Sequence, residues 1–169
     1  MKSIIDLFVA RWALFYLGAS ILILGTAYIF QHGFGYQPCE LCYLQRYPYM
    51  IAIPVALVAF LTRNRTDIGT KRAARGFLII LIFLMFLDAF IAGHHIGVEM
   101  GYWQAYTSCV GPEIDPNVTV EDFINSLSAV SIPCDQPQWT LFGISMAGYN
   151  FMLALGLGLF GVYTYRRTA

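Results

Sequence analysis

The chain is predicted to be an all-α integral membrane protein, a four-helix transmembrane bundle, and three observations predict that class. Of its 169 residues, 58% are hydrophobic, 16% aromatic and only 12% charged, where a soluble domain carries roughly 45–50% apolar and about 25% charged residues. The charged residues leave long gaps: Trp12 to Cys39, Tyr47 to Thr62, Gly76 to Val98 interrupted by Asp88 alone, and Gln136 to Tyr165. Basic residues gather in alternate connections between those gaps. Ten basic and ten acidic residues cancel, so there is no electrostatic case for a nucleic-acid binder. The chain has no internal repeat, low-complexity tract or nucleotide-binding loop, and is expected to form a single membrane domain over 1–169.

A helix crosses the hydrocarbon with about 20 apolar residues, which places spans near 12–31, 45–62, 76–98 and 144–164. Lys2 and Arg11 before the first span resemble the start of a secretory leader. The apolar run that follows exceeds the roughly 7–15 residues of a leader core, so it reads as an uncleaved helix. The second span is the shortest, and Pro48 disfavours helical geometry at Tyr47 unless it lies in a first turn. The third carries Asp88, an intramembrane carboxylate that reads either as functional or as a protonated group bonded within the bundle; it is left outside the candidate site. Gly93, Gly97, Gly101, Gly156, Gly158 and Gly161 are small residues of the kind that let membrane helices approach closely. Trp12, Tyr36, Tyr47, Tyr102, Trp103, Trp139 and Tyr163 suit interfacial aromatic belts.

Nine of the ten basic residues fall before the first span, between the second and third, or after the fourth. Lys and Arg in short connections mark the cytoplasmic face, so both termini and a loop near 63–75 are expected inside, with outer loops near 32–44 and 99–143. Arg46 is the one basic residue on the outer side. Within the second outer loop, Thr119 to Asp122 resembles a capping box, with Val120, Phe123, Ile124 and Leu127 at helical spacing. It predicts a short amphipathic helix, either packed on the loop or lying on the membrane surface.

All four cysteines belong to the outer side. Cys39 and Cys42 form a Cys-x-x-Cys pair in the first outer loop, and Cys109 and Cys134 lie 25 positions apart in the second. An even count in an oxidising compartment points to disulfide chemistry, with three pairings open. A purely structural Cys-x-x-Cys loop closes too little chain to remove much unfolded-state entropy. A zinc site lacks a second knuckle, and haem attachment needs His where Tyr43 stands. Redox exchange is the favoured class. Cys42 lies where a loop enters a span, near a helix N-terminus that favours thiolate, and Arg46 follows four residues later, one helical turn away.

Pro38-Cys39-Glu40-Leu41-Cys42-Tyr43-Leu44-Gln45-Arg46 resembles the Cys-x-Leu-Cys-x-x-x-Arg signature of the bacterial disulfide bond formation protein B (DsbB) family. Gly93-His94-His95-Ile96-Gly97-Val98-Glu99, Ser108-Cys109, Pro133-Cys134 and the run from Trp139 to Asn150 are similar to the same family, and the resemblance covers the chain in order. It implies a bacterial inner-membrane thiol:quinone oxidoreductase that reoxidises a periplasmic DsbA-like oxidase and passes electrons to ubiquinone or menaquinone. It implies that the partner attacks Cys109 of a Cys109–Cys134 disulfide and that Cys134 then exchanges with Cys39. Cys42 is thereby left as a thiolate beside the quinone, with Arg46 stabilising both and His95 as a further quinone contact. A vitamin K epoxide reductase homologue uses similar chemistry, but its loop pair precedes the Cys-x-x-Cys motif and here it follows. A non-enzymatic scaffold stapled by two disulfides is the reading from another class.

Overall fold

In lipid, a backbone satisfies its own N–H and C=O groups only within a helix or a closed barrel, and the apolar stretches of this chain are helical. A computed structural model describes residues 11–62, 68–104 and 134–168. In chain order, α1 is Trp12–Gly33, α2 Glu40–Leu44, α3 Arg46–Thr62, α4 Ile68–Glu99 and α5 Met146–Thr168. A two-stranded antiparallel hairpin, β1 (Thr140–Leu141) and β2 (Ile144–Ser145), leads into α5. Four helical segments are long and apolar enough to cross a membrane: Trp12–Gly33, Glu40–Thr62, Arg72–Glu99 and Met146–Thr168. Cys109 and the segment at 119–127 expected to be amphipathic lie outside the described residues.

The second span is two helices in sequence. Pro48 has no N–H to bond back toward Leu44, and the helix is interrupted at Gln45 so that Pro48 falls in the first turn of α3, where proline is tolerated. The interruption is slight: Gln45 keeps helical dihedrals (φ −66°, ψ −16°), its N–H bonds the Leu41 carbonyl at 3.2 Å, and Arg46 lines the same cavity as Cys42.

The bundle packs mainly through α4 on α5, α1 on α3 and α3 on α4. Its core contains Tyr16 and Leu24 of α1, Ala52 and Ala56 of α3, Leu78, Leu81 and Met85 of α4 and Leu157 of α5. The Tyr16 hydroxyl donates to the Leu157 carbonyl at 2.6 Å, which satisfies its buried phenol. Leu22, Ile29, Phe83, Phe90 and Leu159 point outward, as befits helices whose outer solvent is lipid.

Not every glycine serves helix contact. A side-chain carbon at Gly161 would meet the Tyr16 hydroxyl and Ile82, so close approach of α1 and α4 to α5 depends on it. At Gly156 nothing is near, and Gly97 makes room for the Trp103 ring instead of a neighbouring helix. The hairpin was not legible as strand: two-residue strands have no periodicity to detect. Its turn residues, Phe142 (φ 52°) and Gly143 (φ 77°), both take the left-handed conformation that a two-residue hairpin requires.

At one end of the bundle lie α2, the C-terminus of α4 and the hairpin; at the other, Arg75 donates to the Thr168 carbonyl at 3.0 Å. Gly161→Val is expected to destabilise the bundle by about 1–3 kcal/mol through overpacking. Gly156→Ala is expected to be neutral or mildly stabilising. Thermal unfolding of both variants in the same detergent checks the contrast.

Candidate functional site

The loop before α2 delivers Cys39 in extended conformation (φ −74°, ψ 173°) as the N-cap of that helix. Its sulfur takes the place usually held by a Ser or Asp oxygen and accepts the Cys42 backbone N–H at 3.4 Å. The three-residue spacing brings both sulfurs to one side of the first turn, with Sγ atoms 2.9 Å apart and Cys39 donating to Cys42. Cys39 is buried and Cys42 half-buried, and both are thiols here. The hydrogen bond to Cys42, reinforced by burial and opposed by His95, pushes the Cys39 thiol up to about 12. Cys39 is the partner that keeps its proton.

His95, buried on α4, lies behind Cys39. Its Nε2 is 3.6 Å from the Cys39 sulfur and 3.8 Å from Oε1 of Glu99, one turn further along the helix. Ser145 donates to the other Glu99 oxygen at 2.5 Å and also caps α5 by accepting the Gly148 N–H, so the hairpin is tied to the end of α4. His95 Nδ1 faces the amide nitrogen of Gln45 at 2.8 Å. Gln45 in turn accepts from Asn150 of α5, which also donates to Asp88 of α4, each at 2.9 Å. His94 points elsewhere: its carbonyl accepts the Trp103 indole N–H and its ring stacks on Trp103.

The Arg46 guanidinium is held at 2.6 Å by Oε1 of Gln31 and lies over the rings of Tyr28 and Tyr43, 5.1 and 5.0 Å from their centroids. Its hydrogen-bond partner is thus on α1 and not the Cys42 sulfur. A planar guanidinium suits this stacking and an ammonium does not. Arg46 and Cys42 face one cavity of about 490 Å³ that opens between α1 and α5. Leu22, Ile23 and Leu153 form its lipid-facing part, and Phe30, Tyr36, Trp139 and Tyr149 its aromatic wall. Two residues assigned to an interfacial belt from sequence, Tyr36 and Trp139, therefore line the cavity.

Cys134 is buried with Cys39, Leu41 and Val98 in one apolar cluster, against which Cys42 also packs. The structure thus brings together Cys39, Cys42, Cys134, His95 and Arg46 from the predicted set, while Cys109 lies outside the described residues. Sequence reasoning gave no site role to Gln31, Gln45, Glu99 or Asn150 and left Asp88 outside the site. Gln45, Glu99 and Asn150 do lie in the segments that resemble the family, but neither that nor their polarity says which of them meet.

A mostly apolar cavity with a cation and a thiol at one end suits a ring bearing polar oxygens and an apolar tail. A metal fits less well. The two sulfurs and a His95 ring nitrogen lie within 4.8 Å of one another, but a metal on Nε2 needs the proton on Nδ1, which faces the Gln45 amide nitrogen.

The family model described as disulfide bond formation protein DsbB matches residues 9–164. The chain is 30% identical over 144 residues to disulfide bond formation protein B of Marinobacter nauticus, covering 82% of each chain. It is 29% identical over 164 residues to the protein of that name from Nitrosococcus oceani, covering 94% of this chain and 92% of the relative. An uncharacterized protein of Rickettsia prowazekii is 29% identical over 143 residues, covering 83% and 78%. No solved structure matches.

Since only the thiolate reacts, a thiol held near 12 exposes about one part in ten thousand at pH 8. In the reduced protein, timed iodoacetamide labelling read by peptide mass spectrometry is expected to modify Cys42 first and Cys39 appreciably only in strong alkali. Equal labelling of both near neutral pH would contradict the assigned proton.

Proposed function

The chain belongs to the disulfide bond formation protein DsbB family, and on that basis we propose that it reoxidises a periplasmic DsbA-type thiol oxidase and passes the electrons to membrane quinone. Membership makes it a multi-pass membrane oxidoreductase of disulfide formation. The observation that carries the finer reading is that a Cys-x-x-Cys pair, with Cys134 packed on it, opens onto a lipid-facing apolar cavity.

The basic residues support an orientation with the cysteine-bearing end toward the periplasm. Arg75 and the C-terminus share the opposite end, and excess Lys and Arg mark the cytoplasmic face of a bacterial inner membrane.

The exchange proceeds by thiolate attack on sulfur. A partner thiolate attacks Cys109 of a Cys109–Cys134 disulfide and releases Cys134. Cys134 attacks Cys39 of the Cys39–Cys42 disulfide and releases Cys42 as a thiolate. The partner's second thiolate closes its own disulfide and frees Cys109, which then displaces Cys39 from Cys134. The net result is an oxidised partner, a restored Cys109–Cys134 disulfide and a reduced Cys39–Cys42 pair. Bound in the cavity, a quinone supplies the oxidant, taking the two electrons and two protons whose loss restores the Cys39–Cys42 disulfide.

The chain's own residues set the conditions. Burial of Cys39 and Cys134 together shortens the search between them. Arg46, fixed by Gln31 and two tyrosines, holds a positive charge at the cavity for a ring oxygen and a nearby thiolate. Leu22, Ile23 and Leu153 admit an isoprenoid tail from lipid, and His95 closes the inner side.

Purified protein in detergent, given a reduced DsbA-type protein and either ubiquinone or menaquinone analogues, is expected to reduce quinone. Cys42→Ser is expected to abolish turnover, and Arg46→Ala to raise the quinone KM or lower kcat by roughly tenfold or more, without rescue by Arg46→Lys. Absence of thiol-dependent quinone reduction by the wild type would leave the stapled scaffold as the better account.

A further inference from the structure

Asp88 has no task in the exchange described above, yet it is fully buried. Its Oδ2 accepts from Nδ2 of Asn150 at 2.9 Å, and its Oδ1 has no hydrogen-bond partner among the described residues. The other hydrogen of that Asn150 amide goes to Oε1 of Gln45, also at 2.9 Å. Gln45 is itself buried and turns its Nε2 to Nδ1 of His95 at 2.8 Å. Asp88 and His95 of α4, Asn150 of α5 and Gln45 at the α2–α3 junction form one line of side chains, which Tyr49 of α3 joins at Asn150.

An amide has a donor end and an acceptor end, so the direction of one member dictates the next. Asp88 Oδ2 accepts when the carboxyl is ionised, and equally when its proton is on Oδ1 and not on Oδ2. Asn150 must then present its nitrogen to Asp88 and Gln45, leaving its oxygen to accept the Tyr49 hydroxyl at 2.9 Å. Turning Asn150 over would set its oxygen against two other oxygens. Gln45, having turned its oxygen to Asn150, can offer His95 only its N–H. The His95 nitrogen that receives that N–H is an acceptor, and the ring proton sits on Nε2. From there it points at two acceptors, the Cys39 sulfur and Glu99 Oε1, 3.6 and 3.8 Å away.

We propose that Asp88, acting through Asn150 and Gln45, is a positioning residue that fixes His95 as the Nε2–H tautomer and so makes it a hydrogen-bond donor to the Cys39 sulfur. The chain transmits orientation and not protons, because neither amide takes up and releases a proton as a carboxyl or imidazole does. An N–H aimed at Cys39 stabilises negative charge there when that sulfur is displaced, and exchange quickens as the leaving thiol becomes more stable as thiolate. This consequence rests on the proposed redox role of Cys39; the tautomer does not.

The test uses the full chain in detergent with imidazole-¹⁵N histidine, the His95 signals being identified by their loss in His95→Asn. Wild type is expected to show a protonated Nε2 and an unprotonated Nδ1. Gln45→Glu keeps the shape but presents Nδ1 with a carboxylate, which only accepts, and is expected to move the proton to Nδ1. Asp88→Leu removes the anchor and is expected to give mixed tautomers. It is also expected to slow reduction of the Cys39–Cys42 disulfide by dithiothreitol roughly fivefold to tenfold, the effect of one hydrogen bond. Should Asp88→Leu fail to fold, the isosteric Gln45→Glu decides. Protonated Nδ1 in the wild type, or Nε2–H unchanged in Gln45→Glu, overturns the proposal. A wild type with the expected tautomer but no quinone reduction would defeat the proposed function and leave the positioning chain standing.

Discussion

The cysteine-bearing end depends on how one buried side chain is satisfied. Gln45 stands at the break between α2 and α3, buried, with its oxygen engaged by α5 and its nitrogen by α4. A buried amide without partners costs free energy of the order of 1–3 kcal/mol per lost bond, so the three helices are held to the one arrangement that serves it. Pro48 cannot donate back to Leu44, the helix junction falls at Gln45, and Gln45 links the histidine beside Cys39 to Asn150.

The same end separates two electrostatic settings a few ångströms apart. On one side Arg46 keeps its charge against Gln31 and the faces of Tyr28 and Tyr43, toward the cavity. On the other, His95 lies 3.8 Å from Glu99, which accepts from Ser145, and the three stand behind Cys39. The two thiols sit between them, and their unequal roles follow: Cys39 donates, keeps its proton and packs with Cys134, while Cys42 accepts and faces the cavity. Under the proposed function, Cys39 is the sulfur that meets Cys134 and Cys42 the one that faces the oxidant, both at one cavity.

Lipid and water also divide the work of the fold. Away from the cysteines the bundle is held largely by apolar contacts, with Tyr16 bonded to the Leu157 carbonyl and Arg75 to that of Thr168. Polar side chains concentrate at the cysteine end, where each must find a partner or meet the interface. A functional site placed there gains rigidity from buried groups such as Gln45, Asp88 and His95, whose hydrogen bonds are shielded by the packing around them.

The sequence by itself determined the class of fold, the apolar stretches and the chemistry. Gaps between charges are a one-dimensional signal, since a helix in lipid needs only length and apolarity. The spacing of Cys39, Cys42 and Arg46 marked a redox pair in the same way, and its match to a family pattern extended along the chain. Tertiary structure decided what each polar residue meets. Arg46 is placed by Gln31, 15 residues before it, and His95 by Asn150 and Asp88 through a glutamine that sequence reading passed over. Gly156 and Gly161 look alike in the sequence, yet only Gly161 faces a neighbour. The physical reason is common to all of them: hydrogen-bond direction and side-chain clearance are relations between helices. No periodicity within one helix encodes them.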